Sequence, residues 1–228
     1  MPYPDAMAPA SPARIALIHA LQASMAPTAD AFARGWPEAD TFSLLDDSLS
    51  RDLAAGGARA QGLPERFLEL GRYAVRCGAD AILFTCSAFG EAIDLVRDEV
   101  RIPALKPNEA MIDEAALLPA PIALLATFAP TLPSMSAEFE AEAGRQGRRL
   151  DLTPVHVAGA LEALQRGEPE RHDGLVVEAA HRVTGPHVIV LAQFSMARAA
   201  DAVRAATGRR TLTTPESAVA RLRDVLGA

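Results

Sequence analysis

The 228-residue chain is half hydrophobic, carries a formal charge of -7 and has a pI near 5.3, which describes a globular protein large enough to bury its own core. No basic cluster stands out and no run approaches the roughly 18 apolar residues of a membrane span, so neither nucleic acid nor membrane is expected as a partner. Its two cysteines lack metal-ligand spacing and cannot make a disulfide framework, so a reducing compartment and no metal are expected.

Residues 1–12, with four prolines and no apolar run, predict a disordered tail. They lack the charged start and apolar middle of a signal peptide, and a cytoplasmic protein is expected. From Arg14 strand and helix alternate. Arg14–His19 (RIALIH) reads as a buried strand, Ala20–Thr28 as a loop and Ala29–Arg34 as the start of a helix capped by Thr28 or Asp30. A second strand is expected at Asp40–Leu45, followed by the polar loop Asp46-Asp47-Ser48 and a glycine break at Gly56-Gly57. Helix Pro64–Cys77 then feeds the strand Ala81-Ile82-Leu83-Phe84, and Ile102–Leu105 makes a short fourth strand.

The pattern restarts with strand Pro121–Thr127, helix Ser134–Gly144, strand Leu150–His156, helices Gly159–Arg166 and Asp173–Thr184, and strand His187–Ala192. Helix Met196–Ala206, strand Arg210–Thr213 and the amphipathic helix Pro215–Leu226 complete it. Strict alternation of strand and helix predicts an α/β fold with parallel sheets.

The stretch Thr85-Cys86-Ser87 carries the chemistry. Four apolar residues before it read as a strand buried on both faces, and the spacing of Phe89, Ile93 and Val96 reads as the helix after it. Ligands of open α/β sheets bind at the carboxyl ends of strands, where helix N–H groups favour an anion and should lower a thiol's pKa. Cys86 could equally be one more small buried residue, and its place at the turn is what favours chemistry. Cys77 ends the face Phe67, Leu70, Ala74 and reads as core.

Shifting the sequence by 107 positions (122 − 15) lays Ile15-Ala16-Leu17 on Ile122-Ala123-Leu124 and Phe32 on Phe139. It also lays Gly78 on Gly185, Ile82 on Ile189, and Ala92, Asp94, Val96 and Arg97 on Ala199, Asp201, Val203 and Arg204. One constant offset with no internal gap predicts a duplicated half, hence two α/β lobes related by an approximate two-fold axis. Residues 13–110 with 216–228 should form the first lobe and 111–215 the second, with a ligand held in the cleft between matching strand ends. Cys86 then maps to Gln193, and Ser87 and Ala88 map to Phe194 and Ser195.

Two α/β halves with TCS after the third strand of one and a matching turn in the other resemble the aspartate/glutamate/hydantoin racemase superfamily, from about Arg14 onward. The resemblance implies a cofactor-independent enzyme in which two cysteines, one per half, remove and return a proton at an acidic carbon. Cys86 in FTCSAFG matches the first. The second falls on LAQFSMA, where this chain has Gln193, and an amide does not exchange protons near neutral pH. A substitute is Ser195, a group such as His19 or Asp46, or water. Relatives include an arylmalonate decarboxylase, which by the family pattern keeps the second-half cysteine and whose product should be the mirror image of one made here, and a maleate isomerase that uses its first-half cysteine as nucleophile.

Substrate anchoring falls to Gln22 and Ser24 in the first half and to Thr127, Thr131 and Ser134 in the second, with His19, Thr85, Ser87 and Phe194 beside them. These hydroxyls suit a carboxylate or a hydantoin imide as well as they suit helix caps. No arginine occupies these loops, so a singly charged or cyclic substrate is favoured over a clamped dicarboxylate. Phe89 and Phe128 would add apolar walls. His156, His172, His181 and His187 read as structural or solvated. Three readings follow: an isomerase using Cys86 as base or nucleophile, a lyase using it to protonate an enediolate after loss of CO₂, and a small-molecule binding protein. The chain could also form a homo-oligomer.

Overall fold

Four apolar runs become the inner strands of two separate sheets. The structure is a computed structural model that describes residues 12–228 apart from Pro130 and Pro186, so residues 1–11 of the expected tail lie outside the described residues. The chain forms two compact units: one runs to Glu109 and takes back Ala218–Ala228, and the other is Ala110–Ser217.

The first unit is built from β1 (Arg14–His19), α1 (Met25–Gly35), β2 (Asp40–Leu45), α2 (Ser48–Ala55), α3 (Gly57–Gln61), α4 (Leu63–Arg76), β3 (Ala81–Phe84), α5 (Gly90–Glu99) and β4 (Ala104–Leu105). Its strands are parallel in the order β2-β1-β3-β4. Every residue of β3 is buried, as a strand covered on both faces requires. One face packs Phe67, Phe84, Phe89, Ile93 and Val96; the other packs Leu17, Phe32, Trp36 and Leu83 against Val219 and Leu222.

The second unit follows with α6 (Glu109–Leu117), β5 (Ile122–Ala126), α7 (Thr131–Arg145), β6 (Leu152–His156), α8 (Ala160–Gln165), α9 (Pro169–Arg182), β7 (Val188–Leu191), α10 (Ala200–Thr207) and β8 (Thr211–Thr213), and the last helix, α11 (Thr214–Leu226), belongs to the first unit from Ala218 on. Its order is β6-β5-β7-β8, again parallel. The outer strand β6 is largely exposed and accommodates Pro154, a residue that sheets tolerate at an edge. Among the described residues no helix is long and apolar enough to cross a membrane.

The two sheets share a register. Ile15 pairs with Ala81 and Ile82 with Ala104; in the second unit Ile122 pairs with Val188 and Ile189 with Thr211, each partner 107 positions on. The gapless offset fails at β2 and β6. Thr41 and Leu152, which pair with Ile15 and Ile122, are 111 apart (152 − 41). The extra four residues correspond to α7 having 15 residues against 11 in α1, about one helical turn.

An ion cluster repeats as well. Arg97 donates to the Ala104 carbonyl at 3.0 Å and to both carboxylate oxygens of Glu109 at 2.7 Å. Arg204 donates to the Thr211 carbonyl at 3.0 Å and to Glu216. Each arginine joins the last strand of its sheet to the start of the next helix, and each also faces an aspartate one helical turn back, Asp94 or Asp201.

Several expected boundaries shift. Helix α1 begins at Met25, earlier than the residues expected to cap it, and neither Thr28 nor Asp30 is the N-cap. The Gly56-Gly57 break separates two helices instead of replacing them: both glycines have positive φ, 66° and 70°, a turn open to glycine and strained for other residues. Before α10 the chain makes a 3-10 stretch over Phe194–Ala199 in place of a helix starting at Met196.

Candidate functional site

In the first unit the chemistry-bearing residues gather where β1 and β3 end. Parallel pairing brings His19 and Thr85 to the same level of the sheet, because Thr85 N–H continues the ladder onto the Ile18 carbonyl at 3.1 Å. His19 Nδ1 lies 2.8 Å from Ser24 Oγ and 3.0 Å from Thr85 Oγ1, and the two hydroxyls are 2.9 Å apart. Ser24 also donates to the Leu21 carbonyl at 2.8 Å and Thr28 to the Ser24 carbonyl at 2.6 Å, which fixes the β1–α1 loop. All four side chains are buried, and His19 is wholly so. Burial lowers the His19 pKa to about 4, so the ring is neutral near pH 7.

Cys86 follows Thr85 in extended conformation and starts a 3-10 turn over Ser87–Phe89. The expected lowering of its pKa does not occur. Burial pushes the thiol up, and the Ala88 N–H and Ser50 hydroxyl, which both hydrogen-bond the sulfur, only partly oppose it. The dipole argument failed for a structural reason: α5 begins at Gly90, beyond the 3-10 turn, so the sulfur is not at the helix end. The thiol form therefore dominates at neutral pH.

The second unit ties the corresponding turn differently. Gln193 Oε1 accepts from Thr127 N–H at 2.7 Å and from Thr127 Oγ1 at 2.9 Å. A backbone N–H can only donate, so the amide orientation is fixed and Nε2, a pure donor, is the group left over. The positions matching His19 and Thr85 are Ala126 and Ala192, both buried and apolar. Among the described residues the hydroxyl–imidazole network is found in the first unit, and Ala126 and Ala192 give the second no counterpart.

The other expected residues divide by exposure. Gln22 and Ser87 are exposed, and Thr131 and Ser195 are half-buried. Phe194 is buried, as is Phe89, whereas Phe128 is 49% exposed. His19 is fully buried, with Nδ1 taken up by Ser24 and Thr85. Asp46 is occupied too: burial pulls its pKa up, but hydrogen bonds from Ser48 and Arg66 outweigh this and hold it below the usual carboxylate range. Cys77 is half-exposed at the C-cap of α4 and hydrogen-bonded to Tyr73, not core.

Sequence reasoning passed over Ser50, whose hydroxyl reaches both the Ala20 carbonyl, at 3.2 Å, and the Cys86 sulfur. A serine inside a Gly- and Ala-rich polar segment carries no spacing signal. It also passed over the chain His172 Nδ1–Asp173–Arg198, with contacts of 2.8 Å, which pins α9 to the 3-10 stretch after Gln193. Among the described residues no group of three or more His, Cys, Asp or Glu is placed to hold a metal.

The sequence profile of the Asp/Glu/Hydantoin racemase family matches residues 23–222. The chain belongs to this family. No curated protein sequence matches it. Solved structures similar to this family member include allantoin racemase from Klebsiella pneumoniae, 15% identical with a TM-score of 0.71 over 94% of this chain and 88% of that one. Aspartate racemase from Picrophilus torridus is 10% identical, with a TM-score of 0.67 and 94% of each chain covered. Glutamate racemase from Francisella tularensis in complex with D-glutamate is 12% identical, with a TM-score of 0.66 over 94% and 81%. At these identities the likeness shows a shared racemase-type fold.

Proposed function

We propose that this racemase-family chain is a cofactor-independent enzyme that moves a proton at the acidic carbon of a small carboxylate or hydantoin-like substrate, with Cys86 as its proton-carrying group. The observation that carries the reading is the setting of Cys86: at the carboxyl end of the central strand, half-buried, with its sulfur held by the Ala88 N–H and Ser50 hydroxyl. Those two donors stabilise the thiolate when it forms, and burial keeps the thiol ready as an acid.

Gln193 takes a different part. With Oε1 held by Thr127, its Nε2 offers only N–H, so it binds a substrate oxygen and leaves proton transfer to other groups. Ser195, half-buried beyond it, and water remain the candidates for the opposite face. As in Gln22, Thr131 and Ser87, hydroxyl and amide groups suit a carboxylate or an imide oxygen.

A second reading is favoured by one observation, the raised pKa of Cys86. A thiol that keeps its proton at neutral pH fits a lyase that protonates an enediolate after loss of CO₂. In that case the thiol is on the first half, and the product should have the opposite handedness to that of a relative using the second-half cysteine.

Incubation in D₂O with hydantoins, acidic amino acids and arylmalonates separates the readings. Deuterium at the α-carbon without CO₂ supports the isomerase, and CO₂ release with a deuterated product supports the lyase. Binding that survives Cys86→Ala, with neither exchange nor CO₂, identifies a binding protein and overturns both.

A further inference from the structure

We propose that His19 is a positioning residue: its Nδ1–H latches the β1–α1 loop to the Cys86 turn through Ser24 and Thr85, and this latch sets the environment of the Cys86 sulfur. The inference rests on the reading that Cys86 carries the chemistry. It concerns a group that is wholly buried.

One assignment of protons satisfies the short contacts together. Ser24 has one hydroxyl proton and spends it on the Leu21 carbonyl at 2.8 Å. Thr85 has one, and the shorter of its two oxygen contacts, 2.9 Å to Ser24 against 3.3 Å to the Ile18 carbonyl, takes it. The contacts of His19 Nδ1 at 2.8 and 3.0 Å then need a proton from the ring itself. Nδ1 is the protonated nitrogen and Nε2 is bare. This agrees with the surroundings of Nε2, which is buried with no hydrogen-bond partner among the described residues. An orphaned lone pair is the less costly choice there, since buried N–H groups without partners are the rarer case.

The latch acts on the sulfur through adjacent groups. Thr85 immediately precedes Cys86, and the Ala20 carbonyl, one residue beyond His19, accepts from Ser50, whose hydroxyl also reaches the sulfur. The groups that set the Cys86 ionisation are burial, the Ala88 N–H and the Ser50 hydroxyl, and the side-chain partners of His19 are two neutral hydroxyls. Releasing the latch lets water reach the sulfur and removes part of its burial.

Two measurements test this, and neither needs a substrate. Nitrogen-15 NMR of the intact protein at pH 7 should show His19 with Nδ1 protonated and Nε2 bare; a protonated Nε2 overturns the proposal. Alkylation of Cys86 by iodoacetamide, resolved from Cys77 by peptide mass spectrometry, should quicken about tenfold at pH 7 in His19→Gln, with its pH midpoint about one unit lower. Asparagine places its amide nitrogen near the Nδ1 position, so His19→Asn should restore the wild-type rate and midpoint. Equal change in both variants, or none in either, overturns the latch. Failure here leaves the proposed enzymatic role of Cys86 standing, and absence of any exchange activity leaves the latch standing.

Discussion

Burial perturbs Cys86 and His19 alike, and it moves their pKa values in opposite directions. Burial disfavours the charged form in both, so the cysteine keeps its proton to higher pH and the histidine loses its proton at lower pH. For His19 the folded pKa of about 4 lies below the ordinary 6.5. The folded state therefore binds fewer protons than the unfolded chain between those values. Stability is full above pH 6.5 and falls as pH drops toward 4, by on the order of 3 kcal/mol in all. Denaturant midpoints measured from pH 7.5 to 4 should show this fall, and His19→Asn, which has no titrating ring, should flatten it by that amount. The place of Cys86 was legible in the residues around it, a buried apolar run that ends in small polar side chains. Its ionisation was not, since the sign depends on how far the helix start lies from the sulfur and on Ser50, which approaches from another element.

At the scale of elements, the inner strands β1, β3, β5 and β7 were readable because both faces are covered and the runs are unbroken. The short helices α2 and α3 were not, since eight and five residues rich in alanine, glycine and polar side chains are too few to show a period, although Leu49 of α2 is fully buried. Helix contact adds a constraint that periodicity does not reveal. A Cβ at Gly71 on α4 would lie 2.5 Å from Val96 Cγ1 on α5, and valine has little freedom at χ1 to retreat. Gly71→Ala should therefore destabilise the protein by about 1–2 kcal/mol despite the better helix propensity of alanine. A lower urea midpoint with an unchanged slope would bear this out, and a raised midpoint would contradict it.

Across the whole molecule, the same sheet order and inner-strand register recur, and so does the arginine clamp. What differs is the chemistry at the equivalent turns: a thiol backed by hydroxyls and an imidazole in one unit, and an amide tied to Thr127 in the other. The clamps Arg97–Glu109 and Arg204–Glu216 are matched in geometry and about one-third exposed. Arg97→Ala and Arg204→Ala should accordingly cost similar amounts, about 1 kcal/mol each after allowance for solvent screening, as read from chemical denaturation. A loss confined to one of them would show that the repeated geometry does not carry repeated energetics.

The account turns on a single ionising sulfur, and the pH dependence of solvent deuterium incorporation at the substrate α-carbon tests it most directly. With Cys86 as base, the rate should climb with pH past the ordinary thiol range and fall at least about 100-fold in Cys86→Ala at every pH. Incorporation by Cys86→Ala at the wild-type rate would contradict it.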